Sequence, residues 1–169
     1  IGASMDAVQP TVPSLIALTP AVQSDSEFLY HLWDEEARRQ SIFGGPTDLD
    51  HHATWLKNVL ADPEVHLYVA TERGRAVGSG RLDLVDYGKG AVISVLVAKD
   101  ARRRGLGTAI IQALEREAAA LRAEYIRAEI LEENKGSRLA FTNADYAIEE
   151  IKDGVVTMLR QVGGGRGTE

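Results

Sequence analysis

The chain of 169 residues contains no cysteine. Disulfides, thiolate-bound metals and a cysteine nucleophile are therefore excluded. It also has no surplus of positive charge: 19 Lys and Arg against 25 Asp and Glu leave −6 at pH 7, which argues against generic nucleic-acid binding. No apolar run approaches the ~18 residues of a membrane span, and no basic-then-apolar signal segment opens the chain. The expectation is a cytoplasmic protein without nucleic-acid or membrane partners. No internal repeat is present, and the length suits a single domain able to bury roughly 70% of its unfolded surface without covalent staples. The first residue is not Met, so the start reads as an expression remnant. Small, polar and proline-containing residues 1–13 and the glycine-rich residues 163–169 read as flexible ends around a domain at 14–162.

Metal ligands are scarce too. His51 and His52 stand near Asp48 and Asp50, but two adjacent histidines make a poor chelate without further ligands, so no metal is expected.

The most informative stretch present is Arg102-Arg103-Arg104-Gly105-Leu106-Gly107-Thr108. An apolar run precedes it and an apolar-periodic segment follows, so a strand runs through a glycine-rich turn into a helix. Such a turn offers free backbone N–H groups at the positive end of a helix, an anion site. The Arg-x-x-Gly-x-Gly spacing is neither the nucleotide P-loop nor the dinucleotide fingerprint.

Around this loop the pattern predicts a strand at 15–18 ended by Pro20. A helix follows from caps at Ser24 to Glu27 and fades near Gly44-Gly45-Pro46, and a second starts at Asp48 or Asp50 and stops at Asp62-Pro63. Strands at 65–71, 76–85 and 91–98 are joined too closely for crossovers and read as an antiparallel meander. Then come a helix at 108–121, a strand at 125–131, a short helix at 136–142 and a hairpin of strands 146–151 and 155–161 turned by Asp153-Gly154.

The loop, with Val97 five residues before its first arginine, resembles the acyl-CoA pyrophosphate loop of the GNAT N-acyltransferase superfamily. A second block, Asn134, Ser137 and Phe141, resembles that family's Asn-x-x-Ala/Ser-x-x-x-aromatic pattern, and the element order is similar. The resemblance covers residues 14–162. It implies an α/β fold: one domain with a mixed, mostly antiparallel sheet of about seven strands and about four helices. It also implies acetyl-CoA as cosubstrate, held by backbone amides from Arg103 to Thr108 with Arg102, Arg103 and Arg104 adding charge. Val95, Leu96 and Val97 would line the pantetheine arm, and Asn134, Ser137, Arg138 and Phe141 would lie beside it. The amide of Val95 would stabilise the oxyanion. Asn134 reads equally well as a helix N-cap, and Arg138 as a surface residue.

Two family features are missing. Phe141 stands where many members place a tyrosine that protonates the leaving thiolate, and Ala91 where some carry a carboxylate base. A thiol of pKa ~8.5 leaves without an acid at a cost of only about 2 kcal/mol, so water, Tyr125 or Tyr146 could serve. Glu129 is a candidate base, with Asp83, His51 and His52 as others, and Ser94 a candidate anchor for water or substrate. A lysine amine needs roughly 4–5 kcal/mol of help to deprotonate at pH 7, so a weak base favours a less basic small-molecule amine. Trp33, Arg38, Ser41, His52, Trp55, Arg81 and Asp83 resemble the substrate side of a subgroup that includes nucleotide-amino-sugar N-acetyltransferases of the pseudaminic acid type. Asp34-Glu35 stands where that subgroup has Arg-Asn. Trp33, His52, Arg81 and Asp83 are thereby candidate acceptor contacts. A peptide N-terminal acetyltransferase and a non-catalytic acyl-CoA-binding module remain alternatives, and the closing hairpin offers a surface for a homodimer.

Overall fold

In the computed structural model, which describes residues 15–163, one seven-stranded sheet has the order β1-β2-β3-β4-β5-β7-β6. Its strands are β1 (Ile16–Pro20), β2 (Val65–Glu72), β3 (Arg75–Val85), β4 (Gly90–Val97), β5 (Tyr125–Leu131), β6 (Ala147–Lys152) and β7 (Val155–Gln161). Every pairing is antiparallel except β4 with β5. The expected flexible ends lie outside the described residues, apart from Gly163. Among the described residues no helix is long and apolar enough to cross a membrane.

Five α-helices flank the sheet: α1 (Ser26–His31), α2 (Glu35–Arg39), α3 (Leu49–Ala61), α4 (Leu106–Ala120) and α5 (Lys135–Asn143). The described residues hold one more than the expected four or so because the first helix divides. Asp34 takes an extended backbone and its carboxylate accepts from the Ala37 amide at 2.9 Å, so a fresh N-cap starts α2 where one helix was expected to continue. Pro20 ends β1 from within. It is tolerated because β1 is an edge strand and a missing N–H there breaks no ladder.

α4 lies against one face of the sheet. Ile110, Ile111, Leu114 and Ala118 pack with Ile126, Ala128, Val156 and Met158 in the larger core, and each fully buried aliphatic side chain contributes roughly 1.5–3 kcal/mol. Gly80 lets the helix come close: a Cβ there would sit 2.7 Å from Leu114. α1 and α3 cover the other face through Leu29, Leu32, Leu56 and Val59 against Leu67 and Val69. The two helical layers thus leave the ends of β4 and β5 between them.

Candidate active site

The site begins as a fault in the sheet. β4 and β5 pair only at Gly90–Tyr125, Ala91–Ile126 and Val92–Arg127, although β4 runs on to Val97 and β5 to Leu131. Past Val92 the two strands part and leave a cleft. The direction of the β4 amides follows from its pairing with β3. The Ala98 amide donates to the Val77 carbonyl at 2.8 Å, and the register is unbroken from there to Val85–Gly90. Amides alternate along a strand, so Leu96 and Ser94 face β3 while Val97 and Val95 face the cleft. The Val95 and Val97 side chains pack on the larger core and Leu96 on the smaller one; what these residues offer the cleft is backbone.

At the open end of the cleft stands the start of α4. Its N-cap, Gly105, sits at φ +74 and supplies no side-chain cap, and the first turn carries no acid. α2, α3 and α5 are by contrast capped by Asp34, Asp48 and Asn134. The amides of Gly105, Leu106, Gly107 and Thr108 therefore have no intrahelical acceptor and concentrate positive potential. Arg103 is also left-handed, at φ 62. A Cβ on Gly107 would lie 3.8 Å from Ala140 and 3.9 Å from Val97, so α4, α5 and the end of β4 meet there.

The three arginines are placed differently from one another. Arg102 turns away from solvent: Nε donates to the Val97 carbonyl at 3.1 Å, while its two terminal nitrogens take the Asp34 carboxylate bidentately at 2.7 and 3.0 Å and Glu36 at 3.1 Å. The Arg102 guanidinium holds the Asp34 carboxyl down at about 2. Two carboxylates already neutralise Arg102, so it adds no free charge to the loop. Arg104 pairs with Glu72 at 2.8 Å. Arg103 is exposed and makes no ion pair among the described residues.

The second block flanks the other side. Asn134 caps α5 by accepting from the Ser137 amide at 3.1 Å, and its Nδ2 donates to the Gln40 carbonyl at 3.4 Å. Arg138 donates to the Glu132 carbonyl. Phe141 is buried and meets Tyr146 edge-on at 5.0 Å. The Tyr146 hydroxyl is buried without a hydrogen bond among the described residues, and burial, with the Glu115 charge second, raises its pKa, which makes it a poor acid. The Tyr125 ring covers Gly90, at the closed end of the cleft.

The face of the sheet towards α3 carries polar side chains beside the cleft. Arg81 lies 5.6 Å from the Trp55 ring and pairs with Asp83. Ser94 stands opposite Arg81. Continuing the Val92–Arg127 register two residues brings Ser94 level with Glu129 on the same face. Glu129 is exposed and lies 3.5 Å from Arg127.

Two expected acceptor contacts are held by packing. His52 is 1% exposed, with Nδ1 2.9 Å from Ser26 Oγ, Trp55 beside its ring and Nε2 without a hydrogen bond among the described residues; it helps pack α1 on α3. Trp33 lies under Gly45, where a Cβ would come within 2.5 Å of the ring. Asp34, Gln40 and Arg127 are the residues at the site that the motifs did not point to. His51 bonds the Asp48 carboxylate at 2.6 Å, and no acidic or histidine cluster able to hold a metal exists among the described residues.

The fold is similar to that of spermidine N-acetyltransferase from Vibrio cholerae, solved with CoA and spermine (TM-score 0.77, 14% identity, 88% of this chain and 96% of that one). It is also similar to aminoglycoside acetyltransferase AAC(6')-Ib, solved with coenzyme A (TM-score 0.75, 19% identity, 86% and 94%). YncA from Salmonella typhimurium, solved with acetyl-CoA, is a third (TM-score 0.72, 16% identity, 92% and 98%). No curated protein matches the chain significantly. The acetyltransferase (GNAT) family pattern matches residues 26–144, a span that holds the parted strands, the uncapped helix and the Asn134 turn, and the chain belongs to that family.

Proposed function

We propose that the chain is an acetyl-CoA-dependent N-acetyltransferase acting by direct attack of a small-molecule primary amine. One observation carries the reading: the cleft between β4 and β5, with the Val95 and Val97 amides facing it, leads to the start of α4, which lacks both a side-chain cap and an acid. A peptide-like arm ending in a diphosphate fits those donors in that order. Pantetheine amides would complete strand pairing with β4, and the diphosphate would take the amides from Gly105 to Thr108, with the Arg103 cation beside them.

The amine nitrogen attacks the thioester carbon, the C–N bond forms, and the C–S bond breaks. The Val95 amide donates to the oxyanion between those events. Glu129, level with Ser94 on the acceptor face, takes the proton the nitrogen loses, directly or through a water held by Ser94. The thiolate leaves as such and is protonated by water, because Phe141 cannot donate and the Tyr146 hydroxyl is buried.

The acceptor face favours a hydroxyl-rich amine such as an amino sugar over a polycation. Its carboxylates, Asp83 and Glu129, are each already paired with Arg81 and Arg127, so the face is electrically balanced yet dense in hydrogen-bonding groups. Trp55, 39% exposed, adds an apolar plane. The test is thiol release from acetyl-CoA with amino sugars, polyamines and peptides, beside calorimetric titration of CoA. Turnover with amino sugars supports the reading, and turnover confined to peptides gives the N-terminal acetyltransferase instead. CoA binding with no turnover on any amine reduces the protein to a binding module.

A further inference from the structure

Arg102 opens the Arg-x-x-Gly-x-Gly loop, yet its guanidinium faces away from the exposed loop amides. Its donors go to the Val97 carbonyl and to the Asp34 and Glu36 carboxylates, and both members of the bidentate pair are mostly buried, 22% and 24% exposed. Asp34 is the N-cap of α2. At the other end of α2, the carbonyl of its C-cap Gln40 accepts from Asn134 Nδ2. Five helical residues, about 7.5 Å of helix, thus reach from a side chain at the end of β4 to a side chain beyond the end of β5. α2 crosses the open end of the cleft and is fastened on both banks. The loop that follows α2 is held back on it by Arg38, which donates to the carbonyls of Trp33, Gly44 and Pro46. That loop carries Phe43, 88% exposed and only three residues, at most about 11 Å, from Gln40.

We infer that Arg102 is a positioning residue for the amine acceptor: with Asp34 it fastens α2 across the cleft and so sets the wall, ending in Phe43, that the acceptor meets. The inference rests on the acetyltransfer reading above for its kinetic arm only. It assigns the first arginine of the loop to the acceptor side and leaves the diphosphate to backbone amides and Arg103. Charge supports this division: Asp34 and Glu36 already occupy the Arg102 cation, which leaves it no free charge for a phosphate.

The test uses Arg102→Met, which keeps the stem and loses the fork, and Arg102→Lys, which keeps the charge but cannot hold Asp34 bidentately. Asn134→Asp is the third variant; it retains the cap acceptor for Ser137 and loses the donor to Gln40. Thermal unfolding first verifies that each is folded. Arg102→Met is expected to raise the acceptor KM at least about tenfold, with CoA affinity within about threefold of the parent and the salt dependence of CoA binding unchanged. Arg102→Lys is expected to fall with Arg102→Met on acceptor KM. Hydrogen exchange supplies the arm that needs neither substrate: amides 37–40 exchange faster in Arg102→Met and Asn134→Asp, while those of α4 do not. A tenfold loss of CoA affinity with the acceptor KM unmoved would overturn the inference, as would unchanged exchange in α2. If the parent chain binds no CoA, the function proposed above fails, and the exchange arm alone decides whether Arg102 fastens α2. Should Arg102→Met not fold, Arg102→Lys and Asn134→Asp give the same discrimination.

Discussion

Gly105 and Gly107 look equivalent in the motif, but the structure gives them opposite responses to a single methyl group. Gly105 is at φ +74, and a Cβ added there would meet nothing within 4 Å, whereas at Gly107 it would make ordinary contacts at 3.8 and 3.9 Å to Ala140 and Val97. Gly105→Ala therefore meets no atom, and its cost lies in backbone conformation, ~1–2 kcal/mol for a left-handed L-residue. The stiffer unfolded chain offsets about 0.4–1 kcal/mol of this. A net loss near 1 kcal/mol lowers Tm by roughly 2–4 °C in a domain of this size. Gly107→Ala is inside the first turn of α4 and relieves a glycine penalty of up to about 1 kcal/mol, so Tm holds or rises.

Their effects on CoA diverge in the same sense. Relaxing residue 105 out of the left-handed region re-aims the amides that start α4, and losing even one hydrogen bond to a charged group costs about 1.5–3 kcal/mol, tenfold or more in Kd. Gly107→Ala leaves those amides in place and stays within about threefold. Gly107→Leu must push between Ala140 and Val97, and the overpacking of about 1–3 kcal/mol lowers both Tm and affinity. Calorimetric titration of CoA beside thermal unfolding of the three variants reads both quantities. Parental affinity in Gly105→Ala, or a larger loss in Gly107→Ala than in Gly105→Ala, would refute the backbone-cradle reasoning.

Burial lowers the pKa of His52, so the folded state holds it neutral while the unfolded chain protonates it near pH 6.5. Its contribution is full above that value and is lost as pH falls through 6.5 towards the lowered folded pKa, at up to about 1.4 kcal/mol per pH unit. Urea unfolding from pH 5 to 7.5 should thus show a steeper loss in the parent than in His52→Gln, and parallel slopes would contradict it. Phe141→Tyr places a hydroxyl at a 5% exposed site and is expected to cost about 1–3 kcal/mol without raising the rate; a faster, equally stable variant would show that the ring opens onto the cleft. Glu129→Gln is expected to lower kcat about a hundredfold or more, as removal of a general base does, with CoA affinity unchanged; a parental kcat would remove Glu129 from proton transfer.

The element order and the extents of β5 and β7 are legible in the sequence because apolar periodicity and the Asp153-Gly154 turn are local signals. The pattern starts α4 two residues late, since glycine weakens the helical signal even where, as at Gly107, it sits inside the helix. The break between α1 and α2 is marked by Asp34 before two glutamates, an N-cap followed by first-turn acids. Apolar spacing on either side outweighs it. The roles of charged side chains are the least legible. Nothing near Arg102 in sequence marks its partner 68 positions earlier, and a histidine four residues into a helix looks the same whether it faces a pocket or, as His52 does, another helix. Pairing across a sheet and packing across an interface are long-range facts, and local composition carries no trace of them.

The cleft itself follows from how the sheet distributes its hydrogen bonds. β3 pairs with β4 along the whole of β4, and β7 with β5 along the whole of β5, so each strand has one complete partner and the fold does not depend on the seam between them. Three paired positions at the closed end suffice to hold the register. Beyond them the β4 amides of Val95 and Val97 have only water or a ligand to satisfy them, and an unsatisfied buried amide is costly. Covering the opening fully would therefore destabilise the empty protein, and leaving it bare would expose a strand edge to non-specific pairing. A short helix tied down by Arg102 on one bank and Asn134 on the other meets both demands: it narrows the edge without burying its donors. A cosubstrate shaped like a strand can then take the place in the sheet that no segment of the chain occupies.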